Sequence, residues 1–326
     1  MKFGPVPVAE AEGAILAHAT QAGSRRLPKG KLLDVTDIFD LQAAGVADVI
    51  VARLALGDLD ENAAAATLAR AFAGDGVTAS TAATGRVNLF ADAAGIVALD
   101  IAAIHRVNAV NPMITIATLP QHTRVAAGNM LATIKIISYA VPGADVADAA
   151  SAGQAVTLLP PLYRSATLIE TSLGHDPGDK GRKTLAERLS RLDMALKDRW
   201  VVPHDINALA GAFYNATGEV IFIFTASATS DIDDVGPAAL RAAGGMVTQF
   251  GMPVDPGNLL FLGDLYGKPV IGLPGCARSP ALNGADWVLE RVICGRPPSP
   301  QDFAAMGVGG LLKEIPDRPQ PRRSIG

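Results

Sequence analysis

The chain has 326 residues, 49% of them apolar and 18% charged, with a formal net charge of −4 at pH 7. This length suggests two domains with sizeable cores, the acidic balance argues against general nucleic-acid binding, and no apolar run reaches the roughly 18 residues of a membrane span. The two cysteines, Cys276 and Cys294, argue against a disulfide framework and fit a reducing cytoplasm, and the start MKFGPVPVAEAEG lacks the basic-then-apolar pattern of a secretory signal.

Residues 1–57 read as a small α+β unit. Val8 to Ala19 has helical spacing at Val8, Ala11, Ile15 and Leu16. Leu27-Pro28-Lys29-Gly30 is a turn, Asp34 or Thr36 caps a helix through Ala44 that Gly45 ends, and Val49 to Val51 is a strand. Asp60 or Asn62 starts an alanine-rich helix through Phe72, and Val77 to Ala82 is a strand. Arg86 to Ile104 reads as strand, turn, helix. Ile114–Leu119 and Thr133–Tyr139 alternate as strands do, with Gly128-Asn129 between them, and Pro142–Gln154 carries a short helix. Residues 1–154 thus form a mixed α+β region, as one body or two small subdomains.

From Ala155 strands and helices alternate, which predicts a parallel α/β sheet with right-handed crossovers over 155–296. The predicted strands are 156–159, 166–171, 200–202, Val220–Phe224, 246–250, 259–262 and 269–273. The predicted helices are Thr184–Leu196, Ile206–Tyr214, Val235–Ala243 and a last one from Pro280 to Cys294 capped by Ser279. The remainder, 297–326, is proline-rich with a basic end and reads as a linker or peripheral strap.

The stretch that organises this region is VIFIFTASATSDIDDVGP, Val220 to Pro237. Five apolar residues suit a strand buried on both faces. The loop Thr225-Ala226-Ser227-Ala228-Thr229-Ser230 is small and hydroxyl-rich, and Asp231, Asp233 and Asp234 follow. In an open α/β sheet ligands bind outside the carboxyl ends of the strands, so this loop reads as an anion cradle with carboxylates at its rim, or else as a βα turn with capping hydroxyls. The second strand-end turn, Gly272-Leu273-Pro274-Gly275, either lets backbone approach a ligand or only redirects the chain. Lys180-Gly181-Arg182-Lys183 is either a phosphate site or a solvated charge run. Asp205 is either a helix N-cap or a ligand for Mg²⁺. The rigid loop around Asp255 and Asn258 either lines a pocket or forms a turn framework. Cys276 and Cys294 read as packed residues, and the five histidines show no metal spacing.

With these motifs the C-terminal domain, over roughly residues 155–295, resembles the molybdopterin-binding domain shared by molybdopterin adenylyltransferase and molybdopterin molybdotransferase. Thr225-Ala226-Ser227-Ala228-Thr229 stands at the family's T-G-G-T/S-G loop, Asp234 at its aspartate and Val235-Gly236-Pro237 at its V-x-P. The G-L-P-G turn is Gly272 to Gly275, and Val202-Pro203-His204-Asp205 matches the first acidic turn in part. The phrases GMPVDPGNLL and GLPGCARSPALNG look like a bacterial subgroup whose members are often fused to a cytidylyltransferase-like domain. The resemblance implies a three-layer parallel-sheet domain and a role in molybdenum cofactor biosynthesis. The ligand would be molybdopterin, or its nucleotide-activated or molybdenum-loaded form. If the protein is a transferase, chemistry would be at phosphate or by molybdate insertion. The loop amides and Lys180 or Lys183 would hold the charge, and Asp205 and Asp234 would bind Mg²⁺. The alternative is a carrier or sensor working with a molybdenum cofactor cytidylyltransferase. Homo-oligomers in the cytoplasm, with no nucleic-acid or membrane partner, are expected. The two adjacent glycines of the T-G-G-T/S-G motif are replaced, by Ala226 and Ser227; a loop that needs positive φ there would be strained.

Overall fold

The computed structural model of the protein describes residues 1–313. It divides into two compact units that are not contiguous in sequence. The first is Met1–Asp92, Val97–Thr123 and Ala127–Leu158; the second is Ala93–Ile96, Arg124–Ala126 and Leu159 onward.

In the first unit, a strand Lys2–Pro7 pairs antiparallel with Asp48–Arg53 in the register Phe3↔Ala52 to Pro7↔Asp48, and Ile15–Leu16 pairs on the other side. The helix expected over Val8–Ala19 is absent. Only Val8–Glu10 makes a single 3-10 turn, and Gly13 then turns with φ 70°. Val8, Ala11, Ala14 and Leu16 are all buried, so their spacing reflects burial in a core with Leu27, Leu33, Leu41 and Val51 rather than a helical face. The helix Val35–Ala43 forms as its caps dictate: Asp34 and Asp37 make a reciprocal capping box. Asp60 likewise caps Glu61–Phe72. A four-stranded antiparallel sheet has the order Ile114–Thr118, Met130–Ile136, Arg86–Ala91, Val77–Ala79. Between the expected strand at Arg86 and helix at Ile101–Val110 lies a further strand, Gly95–Leu99.

The second unit is an α/β sandwich. Its strands are β1 (Ser165–Ser172), β2 (Ala195–Pro203), β3 (Val220–Phe224), β4 (Met246–Phe250), β5 (Phe261–Leu265) and β6 (Lys268–Leu273). Its helices are α1 (Lys180–Ser190), α2 (Ile206–Phe213), α3 (Val235–Ala242), α4 (Gly284–Ile293) and α5 (Pro300–Ala305). The strand order is β2-β1-β3-β6-β5-β4. The first four run parallel, and β5 alone runs against its neighbours.

All five side chains of β3 are fully buried, each contributing roughly 1.5–3 kcal/mol of transfer free energy. They alternate between two cores. Phe222 and Phe224 join Leu185 and Leu189 of α1 and Val288 and Leu289 of α4. Ile221 and Ile223 join Leu209 and Phe213 of α2 and Leu240 of α3. Helices therefore cover both faces and make three layers.

Three expectations are corrected here. Helix α1 begins at Lys180 and ends at Ser190, not at Leu196. Leu192 and Met194 are buried and prolong the apolar rhythm, but Asp193 takes φ 52° and the chain enters β2 at Ala195. Helix α4 begins at Gly284, because Asn283 and Asp286 form the capping box; Ser279 instead ends a 3-10 turn, Gly275–Arg278. The proline-rich end is not simply a strap: Phe303 of α5 and Leu312 are buried in the core with α4. The basic stretch RPQPRR lies outside the described residues.

Candidate functional site

The parallel register sets where a ligand can sit. Ser172 pairs with Pro203, Glu170 with Phe224 and Phe224 with Leu273, so the carboxyl ends of β2, β1, β3 and β6 share one edge. The chain leaves β1 on one side to make β2 and returns on the other to make β3. Such a reversal opens a crevice between the two strand ends. The Thr225 loop and the Gly272–Gly275 turn leave the adjacent strands β3 and β6 at this edge, as expected.

On the α2/α3 face, Thr171 of β1 joins the two sides of the reversal. Its Oγ1 accepts a hydrogen bond from the Ala226 amide at 2.8 Å and lies 2.8 Å from His204 Nδ1. Thr225 and Thr229 close the loop hydroxyl to hydroxyl at 3.1 Å. No residue from Thr225 to Ser230 has positive φ, so Ala226 and Ser227 are unstrained and the loop does not need the family's glycines. Among the described residues the amides of Ser227, Ala228 and Thr229 donate no hydrogen bond. Three successive unused amides, with Ser227 and Ala228 exposed, can receive an anion.

The three acids have separate structural roles. Asp231 Oδ1 accepts from the Asp233 amide, and Asp233 pairs with Arg241 at 2.6 Å. Asp234 caps α3: its Oδ1 accepts from Val235 N and its Oδ2 from Ser230 N. Asp205 caps α2, accepting from Asn207 N and Ala208 N at 2.9 and 3.0 Å. Asp205 and Asp234 thus cap different helices, α2 and α3, through backbone bonds. Among the described residues no group of three or more His, Cys, Asp or Glu is placed to hold a metal.

Gly272 and Gly275 divide the roles once given to their turn. A Cβ on Gly272 would stand 1.9 Å from Cε1 of Phe261, so this glycine makes room for a core ring; a Cβ on Gly275 would meet nothing within 4 Å. Leu273 and Pro274 are buried. Ser279 contributes its carbonyl, which accepts from buried Arg188 at 2.8 Å; Arg188 also holds the Ala277 carbonyl and the Asp286 carboxylate, pinning the turn. The Asp255–Asn258 loop is a framework. Asp255 N donates to Gly310 O, Asn258 Nδ2 to Met252 O, and Gly284 N to Pro256 O. Lys180 and Lys183 are exposed on the first turn of α1.

The α1/α4 face carries residues that the sequence reading passed over. Glu170 of β1 is fully buried. Its Oε2 accepts from Arg199 Nε at 2.6 Å, while its Oε1 has no hydrogen-bond partner and lies 3.7 Å from Arg278 Nη2. The Arg278 guanidinium lies over the Phe224 ring, 4.3 Å from its centroid. Burial holds it below its ordinary pKa, opposed by the Glu170 charge. One signal in the sequence did mark this place: Glu170 is the only charged residue in the strand SATLIETS.

Comparison with known proteins gives the following. A family model described as a domain of unknown function, DUF8806, matches residues 5–53. No curated protein matches the chain. Among solved structures, the chain is similar to the molybdopterin biosynthesis MoeA protein of Pyrococcus horikosii, at 16% identity and TM-score 0.32 over 91% of this chain and 76% of that one. It is also similar to a molybdenum cofactor biosynthesis protein of Pyrococcus furiosus, at 11% identity and TM-score 0.27 over 91% and 66%. A third, the CinA protein of Thermoplasma acidophilum, whose function is given as unknown, matches at 15% identity and TM-score 0.25 over 36% and 90%.

Proposed function

We propose that the second unit binds molybdopterin, or a nucleotide- or molybdenum-bearing form of it, at the crevice between the ends of β1 and β3, as a binding protein rather than a transferase. The observation that carries this reading is the Thr225–Ser230 loop. It stands at the position of the T-G-G-T/S-G loop in the resembling family, leaves the sheet at its switch point, and keeps the Ser227, Ala228 and Thr229 amides unused. Binding without turnover is favoured by the state of the acids. Asp205 accepts two α2 amides on Oδ1, and Asp234 accepts Val235 N on Oδ1 and Ser230 N on Oδ2, so each acid already serves the backbone beside it. A carrier needs only the amides and the cations around them.

The test is equilibrium dialysis of the purified protein against molybdopterin, reading retained pterin by fluorescence, alongside an assay for nucleotide- or molybdate-dependent turnover. Wild type should retain pterin and show no turnover. Ala228→Asp places a carboxylate among the amides at an exposed position, and should abolish retention with the thermal transition unchanged. Wild-type protein that retains no pterin sinks the reading, and measurable turnover sinks its non-catalytic half.

A further inference from the structure

Arg278 is a half-buried guanidinium with no hydrogen bond from its side chain among the described residues; it has a single ion pair, at 3.7 Å. A buried arginine normally uses its donors. Here the ring face lies on Phe224, which orients the fork but leaves its N–H edge available. The side chain keeps 26% exposure. Two neighbours make the surrounding space suited to an anion. Gly181, in the first turn of α1, comes so close that a Cβ on it would stand 3.2 Å from Phe224 and 3.3 Å from Arg278. The N-cap of that helix, Asp179, makes no side-chain capping bond, so the positive end of the helix is left uncapped by a side chain. Gly275, three residues before Arg278, is open.

The charges balance in the same direction. Glu170 faces two guanidiniums, Arg199 and Arg278, and hydrogen-bonds only the first. Asp179 and Asp176 also approach Arg199, at 3.3 and 3.9 Å, but their side chains are 51% and 81% exposed and are screened by solvent. The Arg278 charge is therefore left with one carboxylate that is already shared. Glu170 Oε1 is a buried acceptor without a hydrogen, and the nearest donor that can supply one is Arg278 itself. A guanidinium held from behind by a carboxylate and from one face by a ring is preorganised to grip an oxyanion with its remaining edge.

We propose that Arg278 is the receptor for the phosphate monoester of the ligand, with Glu170 as its positioning residue. This rests on the reading that the crevice takes a phosphorylated pterin. It adds a phosphate subsite on the α1/α4 face of the sheet, distinct from the Thr225 loop on the opposite face. The functional group recognised is a phosphate monoester, and Arg278 contributes specificity for it over the dephosphorylated ligand.

The experiment titrates inorganic phosphate, molybdopterin and dephosphorylated molybdopterin into wild type, Arg278→Met, Arg278→Lys and Glu170→Gln by isothermal calorimetry, with near-ultraviolet circular dichroism as a control of fold. Loss of charge-assisted bonds should weaken phosphate and molybdopterin binding by about ten- to a hundredfold in Arg278→Met. Arg278→Lys should fall between, and the dephosphorylated ligand should bind both variants as it binds wild type. Glu170→Gln should weaken phosphate binding severalfold because the arginine loses its tether; tighter binding would show that Glu170 merely repels the anion and would overturn its positioning role. Equal phosphate and molybdopterin affinities in wild type and Arg278→Met overturn the subsite while leaving pterin binding intact. Phosphate binding that depends on Arg278 without any pterin binding sustains the subsite and removes the pterin. Wild type that binds neither phosphate nor molybdopterin overturns both.

Discussion

Gly272 and Gly275 stand three residues apart in one turn, and the sequence offers the same two explanations for each. The structure separates them by what fills the space of the missing side chain: Phe261 lies across Gly272, and nothing lies within 4 Å of Gly275. Gly272→Ala should therefore destabilise the protein by about 3 kcal/mol, the upper end for overpacking a core. It should do so with an unchanged urea m-value. Gly275→Ala should shift the midpoint negligibly. Equal effects would mean that the turn and not the ring selects glycine at 272. Such a distinction is not legible in a sequence, because Phe261 reaches Gly272 through the pairing of β5 with β6. Glu170 was legible in part, as a lone charge in an apolar strand, but its partners Arg199 and Arg278 come from two different later segments. The loop Thr225–Ser230 was legible because a whole run of small residues after a buried strand is a local feature.

Helices were read well where their caps are local. Asp34, Asp60 and Asp205 each stand immediately before the helix and bond its first amides. The start of α4 misleads because two polar candidates precede it. Ser279-Pro280 has the better local pattern, yet the chain between Pro280 and Asn283 does not enter the helix. Buried Arg188 holds the carbonyls of Ala277, Ser279 and Ala281. This nonlocal anchor keeps that stretch out of the helix, and Asn283 caps instead, with its side-chain Nδ2 3.1 Å from Cys276 Sγ as well. Asn283→Ala should lower stability by about 1–2 kcal/mol through loss of the cap, and Ser279→Ala by less than about 0.5 kcal/mol. Thermal or urea unfolding of the two variants distinguishes the caps; the reverse ranking would restore the helix start to Pro280. The short strands Ile15–Leu16 and Arg124–Val125 carry no periodicity at all, since two residues cannot show one.

At the scale of the whole molecule, stability should depend on pH through groups the sequence does not single out. Glu290 of α4 has a side chain only 15% exposed and pairs with Arg124 at 2.9 Å. Burial pushes its carboxyl up to about 7 from 4.5; the Arg124 charge opposes this, and the Asp286 charge adds to it. A carboxyl whose folded pKa is raised favours the folded state while protonated. Its contribution is fully present below about 4.5 and is lost as the pH rises through about 7. That displacement corresponds to an order of magnitude of about 3 kcal/mol. The opposite sign holds for Asp302, whose carboxyl is held down to about 2: burial opposes this, and the Ser299 amide and Arg291 more than offset it. Its contribution is present above 3.8 and lost on further acidification. The two together should place maximum stability on the acid side of neutrality. Wild type should lose stability between pH 5 and pH 8, whereas Glu290→Gln, which removes the titration and keeps the shape, should be nearly flat across that window and more stable than wild type at pH 8. Urea midpoints at a series of pH values measure the difference directly. A wild-type curve that rises from pH 5 to 8, or a Glu290→Gln curve parallel to it, would show that the Arg124 pair outweighs burial and that Glu290 is ionised throughout.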